Sequence, residues 1–179
     1  MGNSDERFRI DVLTLFPGMF TGMLQESILG RAGRQGRVDY HLHDIRDYSR
    51  DKHRKVDDKP YGGGPGMVLQ CGPVFRAYEA VRDMDPRTGR SLLFTPQGRR
   101  FDQERGEKLS RAGRLILLCG HYEGFDERIR KGLPVEEVSI GDYVMTGGEI
   151  AAMTVIDVTV RLVPGVLGHE DGAERDSFS

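Results

Sequence analysis

Three glycine-containing segments each follow an apolar stretch and carry residues suited to holding a small ligand. They are T-P-Q-G-R (95–99), C-G-H-Y-E-G (119–124) and I-G-D-Y-V-M (140–145). Glycine lets a ligand approach the backbone where a Cβ atom would block it. The second and third segments add an acidic and an aromatic residue, which suit a ribose hydroxyl and a flat base. Any one segment alone is more often an ordinary turn, so only the three together indicate a nucleotide-like or nucleoside-like ligand.

Two common nucleotide sites are excluded by their missing motifs. The chain has no G-x-x-x-x-G-K-[ST] phosphate loop and no G-x-G-x-x-G directly after its first strand. The run Gly62-Gly63-Gly64-Pro65-Gly66 offers successive amides to a phosphate. Because it opens no obvious helix, a rigid structural loop is the favoured interpretation.

Composition indicates one globular domain. The chain has 179 residues, 37% hydrophobic and 30% charged, with a formal net charge of −2. No apolar run approaches the roughly 20 residues of a membrane span, and the N-terminus is too polar for a secretory signal, which favours a cytoplasmic protein. Two basic clusters, at 31–37 and 50–55, predict either an RNA-facing surface or an ordinary solvated face.

Cysteine and histidine spacing gives no metal site. Cys71 and Cys119 form no C-x-x-C pair, and Cys119 ends an apolar run, which predicts a buried, reduced thiol. His41 and His43 would share one face of a strand. Without a third ligand, two polar residues on a solvated strand face are favoured over a metal site.

The elements that must position the three segments alternate between strand and helix. Strands are predicted at 8–16, 38–43, 91–95, 115–119 and 137–140, and helices at 17–29, 73–83, 102–111, 125–130 and 149–162. Residues 30–36 and 96–99 are predicted as turns, and 44–60 as a loop. Alternation of this kind predicts an α/β domain with a mostly parallel sheet and helices on both faces. Ligands of such sheets bind outside the carboxyl ends of the strands, where the three segments begin.

Several long motifs, in order, resemble the bacterial tRNA (guanine-N(1))-methyltransferase family. The resemblance extends from Phe8 to Phe178. It rests on V-D-D-K-P-Y-G-G-G-P-G-M (56–67), P-Q-G-R (96–99), C-G-H-Y-E-G-F-D-E-R (119–128), S-I-G-D-Y (139–143) and R-L-V-P-G-V-L-G-H (161–169). One departure is His121, where the family usually has arginine.

The resemblance implies a SPOUT-type α/β fold with a trefoil knot in its C-terminal part, working as a homodimer on tRNA. It implies residues 1–165 as the methyltransferase domain and 166–179 as a linker or tail. Family members continue into a tRNA-binding domain that is absent from this chain, so we expect cofactor binding and dimerisation here, with weak or no tRNA methylation. The implied cofactor is S-adenosyl-L-methionine, with S-adenosyl-L-homocysteine as product, held by Pro96, Gln97, Gly98, Gly120, Tyr122, Glu123, Ile140, Gly141, Asp142, Tyr143, Val144 and Met145.

The implied reaction needs a base and a cation. Guanine carries a proton on N1 at neutral pH, so a carboxylate must remove it while a cation stabilises the charge that spreads to O6. By resemblance the general base is Asp176 and the cation is Arg161, and the base is thought to reach across the dimer. The family is also associated with magnesium, although no metal-ligand spacing is visible. Two alternatives stay open: another SPOUT enzyme, such as an RNA ribose 2′-O-methyltransferase, and a non-catalytic cofactor- or RNA-binding module.

Overall fold

A five-stranded parallel sheet forms the centre of the molecule. The computed structural model describes residues 7–59, 63 and 66–167. The sheet has the order β2-β1-β6-β5-β7, and every neighbouring pair is parallel. Its strands are β1 (Phe8–Thr14), β2 (Val38–Asp44), β5 (Arg90–Arg100), β6 (Arg114–Leu118) and β7 (Glu136–Ser139), while β3 (Asp57–Asp58) and β4 (Val68–Leu69) pair separately as a short antiparallel ladder. The predicted α/β fold with a mostly parallel sheet is confirmed.

Helices cover both faces of the sheet, as predicted. The described helices are α1 (Gly18–Gln25), α2 (Ser27–Arg34), α3 (Cys71–Arg82), α4 (Gln103–Ser110), α5 (Glu127–Gly132) and α6 (Glu149–Arg161). Side chains of α1, α2, α4 and α6 form one apolar cluster with one face of the sheet. Those of α3, α5 and a 3-10 turn (Ile45–Tyr48) form a second cluster with the other face. Because both faces are covered, β6 is buried at every position, as its apolar run at 115–118 requires.

Two local predictions are wrong. The predicted turn at 30–36 lies largely in α2, because the chain breaks earlier, at Glu26, which is extended with φ −107° and ψ 164°. Gly30 then lies against the end of α1, where a Cβ would come within 2.1 Å of the Gln25 carbonyl oxygen. The predicted loop at 44–60 contains the 3-10 turn, which begins where the Asp44 carboxylate accepts from the Arg46 amide at 2.8 Å.

The predicted turn at 96–99 is part of an irregular β5 that passes around β7. Val138 pairs with Phe94 and also with Arg99. Since one edge of a strand offers a residue one partner, residues 95–98 must cross from one side of β7 to the other. A Cβ at Gly98 would lie 2.4 Å from the Val138 nitrogen, so only glycine permits this crossing. The trefoil knot itself stays a prediction.

A buried charge network joins β1, β2 and β6. Asp11 is fully buried and bonded by Arg9, Arg114 and His43, whose Nε2 lies 2.9 Å from Oδ1. Burial alone would raise the pKa of Asp11, but hydrogen bonds from His43 and Arg9 and the charge of Arg114 hold it well below its usual range. His41 and His43 do share a face, with ring centroids 6.4 Å apart. The expectation that this face is solvated is wrong, because both residues are partly buried.

Candidate ligand-binding site

A cavity of about 390 Å³ lies at the carboxyl ends of β5, β6 and β7. All three glycine-containing segments contribute to its wall, so the fold brings together what the sequence separates by up to 50 residues. Most of the residues expected to contact the cofactor line it: Pro96, Gln97, Gly120, Tyr122, Glu123, Ile140, Gly141, Tyr143, Val144 and Met145. Gly98 and Asp142 are not among the lining residues, and Gly98 has the steric role at β7 described above.

The first segment is held by an arginine from α5. Arg130 Nη1 donates to the Gln97 side-chain oxygen at 3.0 Å, while its guanidinium also pairs with Glu127 and, at 2.6 Å, with Glu137. Arg130 itself lines the cavity. The Gln97 side chain is therefore oriented by Arg130 of α5, a partner that the sequence analysis did not identify.

The second segment is supported by the end of the glycine-rich run. The Glu123 amide donates to the Met67 carbonyl at 3.0 Å, and the Gly66 α-carbon lies against the Glu123 side chain. These contacts agree with a structural use for that run, although most of it lies outside the described residues. Tyr122 adopts φ +61°, a sparsely populated conformation for a residue with a side chain, and its ring is partly exposed at the cavity.

The third segment folds back on itself before α6. The Ser139 hydroxyl donates to the Gly141 carbonyl at 2.9 Å. The Tyr143 ring covers Gly141 so closely that a Cβ there would lie 2.3 Å from a ring carbon. Val144 is 85% exposed, which is unusual for valine and leaves it free to contact a ligand or another chain. Just before α6, the Gly148 amide donates to the Gly120 carbonyl at 2.7 Å and so joins the second segment to the stretch that follows the third.

A buried polar cluster behind the cavity escaped the sequence-based prediction. Glu149, the first residue of α6, is only 2% exposed, and its Oε1 accepts from the Thr14 hydroxyl at 2.8 Å. His121 Nδ1 lies 4.0 Å from Glu149 Oε2. Burial, and then the charge of Glu149, raise the pKa of the Cys119 thiol, which is neutral and buried as expected. An acidic residue in a first helical turn is common, so its position alone could not distinguish Glu149.

Arg161, one of the two residues expected to act on the substrate, is not among the residues that line this cavity. Arg161 ends α6, whose start forms the cavity wall, and a rise of 1.5 Å per residue separates Glu149 from Arg161 by about 18 Å along the helix axis. Asp176 lies outside the described residues. Among the described residues, no group of three or more His, Cys, Asp or Glu side chains could hold a metal ion. The helices of the described ranges include none with the length and apolarity to span a bilayer.

The comparisons with known proteins agree with one another. Residues 8–179 match the family model described as tRNA (Guanine-1)-methyltransferase TrmD. The tRNA (guanine-N(1)-)-methyltransferase of Dehalococcoides mccartyi strain 195 is 54% identical over 171 residues, covering 96% of this chain and 69% of that protein. The enzyme of the same name from Geobacillus kaustophilus is also 54% identical over 171 residues, with coverages of 96% and 70%.

A solved structure supports the same assignment. The crystal structure of tRNA (m1G37) methyltransferase from Aquifex aeolicus is similar with a TM-score of 0.82 and 37% identity, covering 91% of this chain and 73% of that one. The parallel sheet and the cavity at its edge are consistent with these similarities. The chain belongs to the tRNA (guanine-N(1))-methyltransferase family and is an enzyme of that type.

Proposed function

We propose that this protein transfers a methyl group from S-adenosyl-L-methionine to N1 of a guanine in tRNA, next to the anticodon on its 3′ side. The cavity at the ends of β5, β6 and β7 carries this proposal. Its volume of about 390 Å³ lies in the range of small-molecule sites. Its wall combines glycines with aromatic and apolar side chains, which suits an adenosine and a thioether better than a triphosphate.

The cofactor contacts follow from the wall of the cavity. Backbone groups at Gly120 and Gly141 and in the segment from Ile140 to Met145 would hold the adenosine, because no Cβ intervenes at the glycines. Tyr122 and Glu123 would face its ribose and polar end, and Pro96 and Gln97 would form another part of the wall. The cofactor supplies a methyl group activated on a sulfonium. Asp142 and Gly98, which do not line the cavity, would contribute by fixing the backbone conformation of their segments.

The protein's part of the chemistry is proton transfer and charge stabilisation. N1 of guanine needs its proton removed as the new bond forms, and we assign that role to the Asp176 carboxylate. The negative charge that develops on O6 needs a cation, and we assign that role to Arg161. A positioned base contributes typically about 10²–10⁴-fold to rate, and an aimed cation acts most strongly where water is excluded.

The position of Arg161 supports a composite active site. An arginine about 18 Å from the start of its own helix is far from the cavity wall of its own chain. A second copy related by two-fold symmetry can bring its Arg161 and Asp176 to this cavity. We therefore propose a homodimer with two shared sites and the division into a methyltransferase domain (1–165) and a linker (166–179). The exposed basic clusters at 31–37 and 50–55 would face the tRNA backbone, and the reaction would take place in the cytoplasm. The described residues include no group that could hold the magnesium associated with the family, so no role is assigned to it.

The decisive experiment separates cofactor binding, catalysis and the methylated atom. S-adenosyl-L-homocysteine should raise the melting temperature of the wild type more than ATP does, and Gly141→Val should abolish that rise. Labelled methyl groups should then enter tRNA, and mass spectrometry of the digested product should locate them on guanine N1. Methylation of a ribose 2′-oxygen would favour another RNA methyltransferase activity. Because only weak methylation is expected of this chain, the transfer reaction is run at high enzyme concentration, and cofactor binding with no detectable transfer under those conditions would favour a non-catalytic module.

A further inference from the structure

Arg130 of α5 lies where two carboxylates and the wall of the cavity meet. Its Nη2 lies 2.6 Å from Glu137 Oε2 on β7, and its Nη1 donates at 3.0 Å to Glu127 Oε2, three residues earlier in α5. The same Nη1 donates to the Gln97 side-chain oxygen at 3.0 Å, and both Arg130 and Gln97 line the cavity. Charge-assisted bonds from two elements therefore fix the guanidinium before any ligand arrives.

The contact with Arg130 determines which way round the Gln97 amide stands. A guanidinium carries only N–H donors, so the amide atom that faces it must be the oxygen. The amide –NH2 group is then turned away from Arg130, and none of the residues that the structure describes accepts a hydrogen bond from it. Because Gln97 is exposed and lines the cavity, this –NH2 group is available to donate to a ligand.

Two other side-chain donors of the wall are already used within their own segment. The Ser139 hydroxyl donates to the Gly141 carbonyl at 2.9 Å, and the Tyr143 hydroxyl donates to the Ile140 carbonyl at 3.4 Å. The Gln97 –NH2 group has no such acceptor. An S-adenosyl ligand carries suitable ones, namely the ring nitrogens of adenine and the oxygens of its ribose and its carboxylate.

We propose that Arg130 is a positioning residue that holds the Gln97 amide with its –NH2 group presented to a hydrogen-bond acceptor of the S-adenosyl ligand. Without Arg130, the exposed side chain rotates freely, and its oxygen faces that acceptor part of the time. Arg130 raises the affinity for the ligand by removing this alternative in advance. The inference rests on the proposed function for the identity of the ligand, and it assigns Arg130 no part in the methyl transfer itself.

A purely structural use of Arg130, tying α5 to β7, makes a different prediction for Gln97→Glu. The glutamate keeps an oxygen for the guanidinium and has nearly the same size, so the tie is preserved. Its second oxygen replaces the –NH2 group, so the donor is lost and a charged acceptor stands in its place. A positioning role therefore predicts weaker ligand binding in a protein of unchanged melting temperature.

The test is calorimetric titration of S-adenosyl-L-homocysteine. Gln97→Glu should bind it about tenfold more weakly than the wild type, the upper range for one hydrogen bond. Arg130→Met should bind about threefold more weakly, and the same replacement should have no further effect in a Gln97→Ala protein, because the two residues act as one unit. Lys131→Met is the matched control. Lys131 also pairs with Glu127, at 3.6 Å, but does not line the cavity, so this variant should bind like the wild type.

The outcomes separate this inference from the function on which it rests. Binding of wild-type strength by Gln97→Glu would overturn the inference and leave the proposed function intact. An equal loss from Arg130→Met with and without Gln97→Ala would do the same, as would an equal loss from Lys131→Met. Absence of binding by the wild type would instead overturn the proposed function and the inference with it. If Arg130→Met fails to fold, Gln97→Glu decides alone, since it keeps the guanidinium and its carboxylate partners.

Discussion

The distance between Arg161 and the cavity of its own chain leads to a prediction about mixed dimers. Gly141→Val should disrupt the cofactor wall, because the new side chain fills the space that glycine leaves open and displaces the Tyr143 ring, whose nearest carbon would lie 2.3 Å from the new Cβ. Arg161→Ala leaves the wall intact and removes the cation about 18 Å away along α6. Each variant alone should be nearly inactive. Mixed together and allowed to exchange subunits, they should regain activity only if the two functions come from different chains.

The size of the recovery follows from counting sites. In a mixed dimer, the cavity of the Arg161→Ala chain meets Arg161 of the Gly141→Val chain, so one of two sites is intact. Random exchange makes about half of the dimers mixed, so activity should return to about one quarter of wild type. Transfer of labelled methyl groups to tRNA measures the recovered activity. Separate affinity tags on the two variants allow the mixed dimer to be isolated, and the isolated mixed dimer should show about half of wild-type activity.

A second mixture serves as the control. The wild type is mixed with the double variant Gly141→Val/Arg161→Ala in equal amounts. A composite site leaves both sites of the mixed dimer incomplete, so activity should fall to about one quarter, whereas sites built within one chain would retain about one half. No recovery in the first mixture, with half retained in the second and the mixed dimer verified by its tags, would refute the composite site.

Three further predictions concern single positions. Asp176→Ala should bind S-adenosyl-L-homocysteine normally in calorimetry but lose methyl transfer by about 10²–10⁴-fold; lost binding with intact turnover would contradict its role as base. Asp11→Asn should lower the free energy of unfolding in urea by about 3–5 kcal/mol at pH 7, because buried Arg114 loses its counter-charge. Since folding depresses the pKa of Asp11, this stabilisation is present above about pH 4 and is lost as the pH falls through the folded-state pKa, so the difference should shrink at pH 3. Gly98→Ala should lower the free energy of unfolding by about 1–3 kcal/mol, because the new Cβ would press against the backbone of β7. Gly22→Ala is the control, since Gly22 lies at an exposed helical position with open space around it and its replacement should not destabilise the protein. Equal melting temperatures for the two variants would refute the close crossing.

The sequence predicted those parts of the fold that depend on local pattern. The apolar run ending at Cys119 predicted a strand buried on both faces, and β6 is buried throughout. Alternation of strands and helices predicted a parallel sheet, which in turn predicted that the three glycine segments would meet at one edge. The cavity lies there. These inferences hold because periodicity and topology rules do not require knowledge of which residues touch.

The parts that failed depend on contacts between distant residues. The break at Glu26 divides one predicted helix into two, and glycine at position 30, a weak helix former, lies inside the second. Burial of the neighbouring Leu29 and Ala32 overrides that weakness. Glu149 resembled an ordinary first-turn acid until the fold put Thr14 beside it, 135 residues away in sequence. No local signal carries that information.

Glycine is the residue whose role in this protein was hardest to infer from the sequence. The sequence alone assigned the strand-end glycines to ligand approach, yet a missing Cβ can equally admit another part of the same chain. At Gly98 the backbone of β7 occupies that space, and at Gly147 the His121 and Glu149 side chains do. At Gly141 the neighbour is the partly exposed ring of Tyr143, a side chain that can rotate away from a ligand. A glycine-rich segment therefore indicates that some other group approaches the backbone closely. Whether that group is a ligand or another part of the same chain depends on which atoms lie beside the glycine and on whether they can move away.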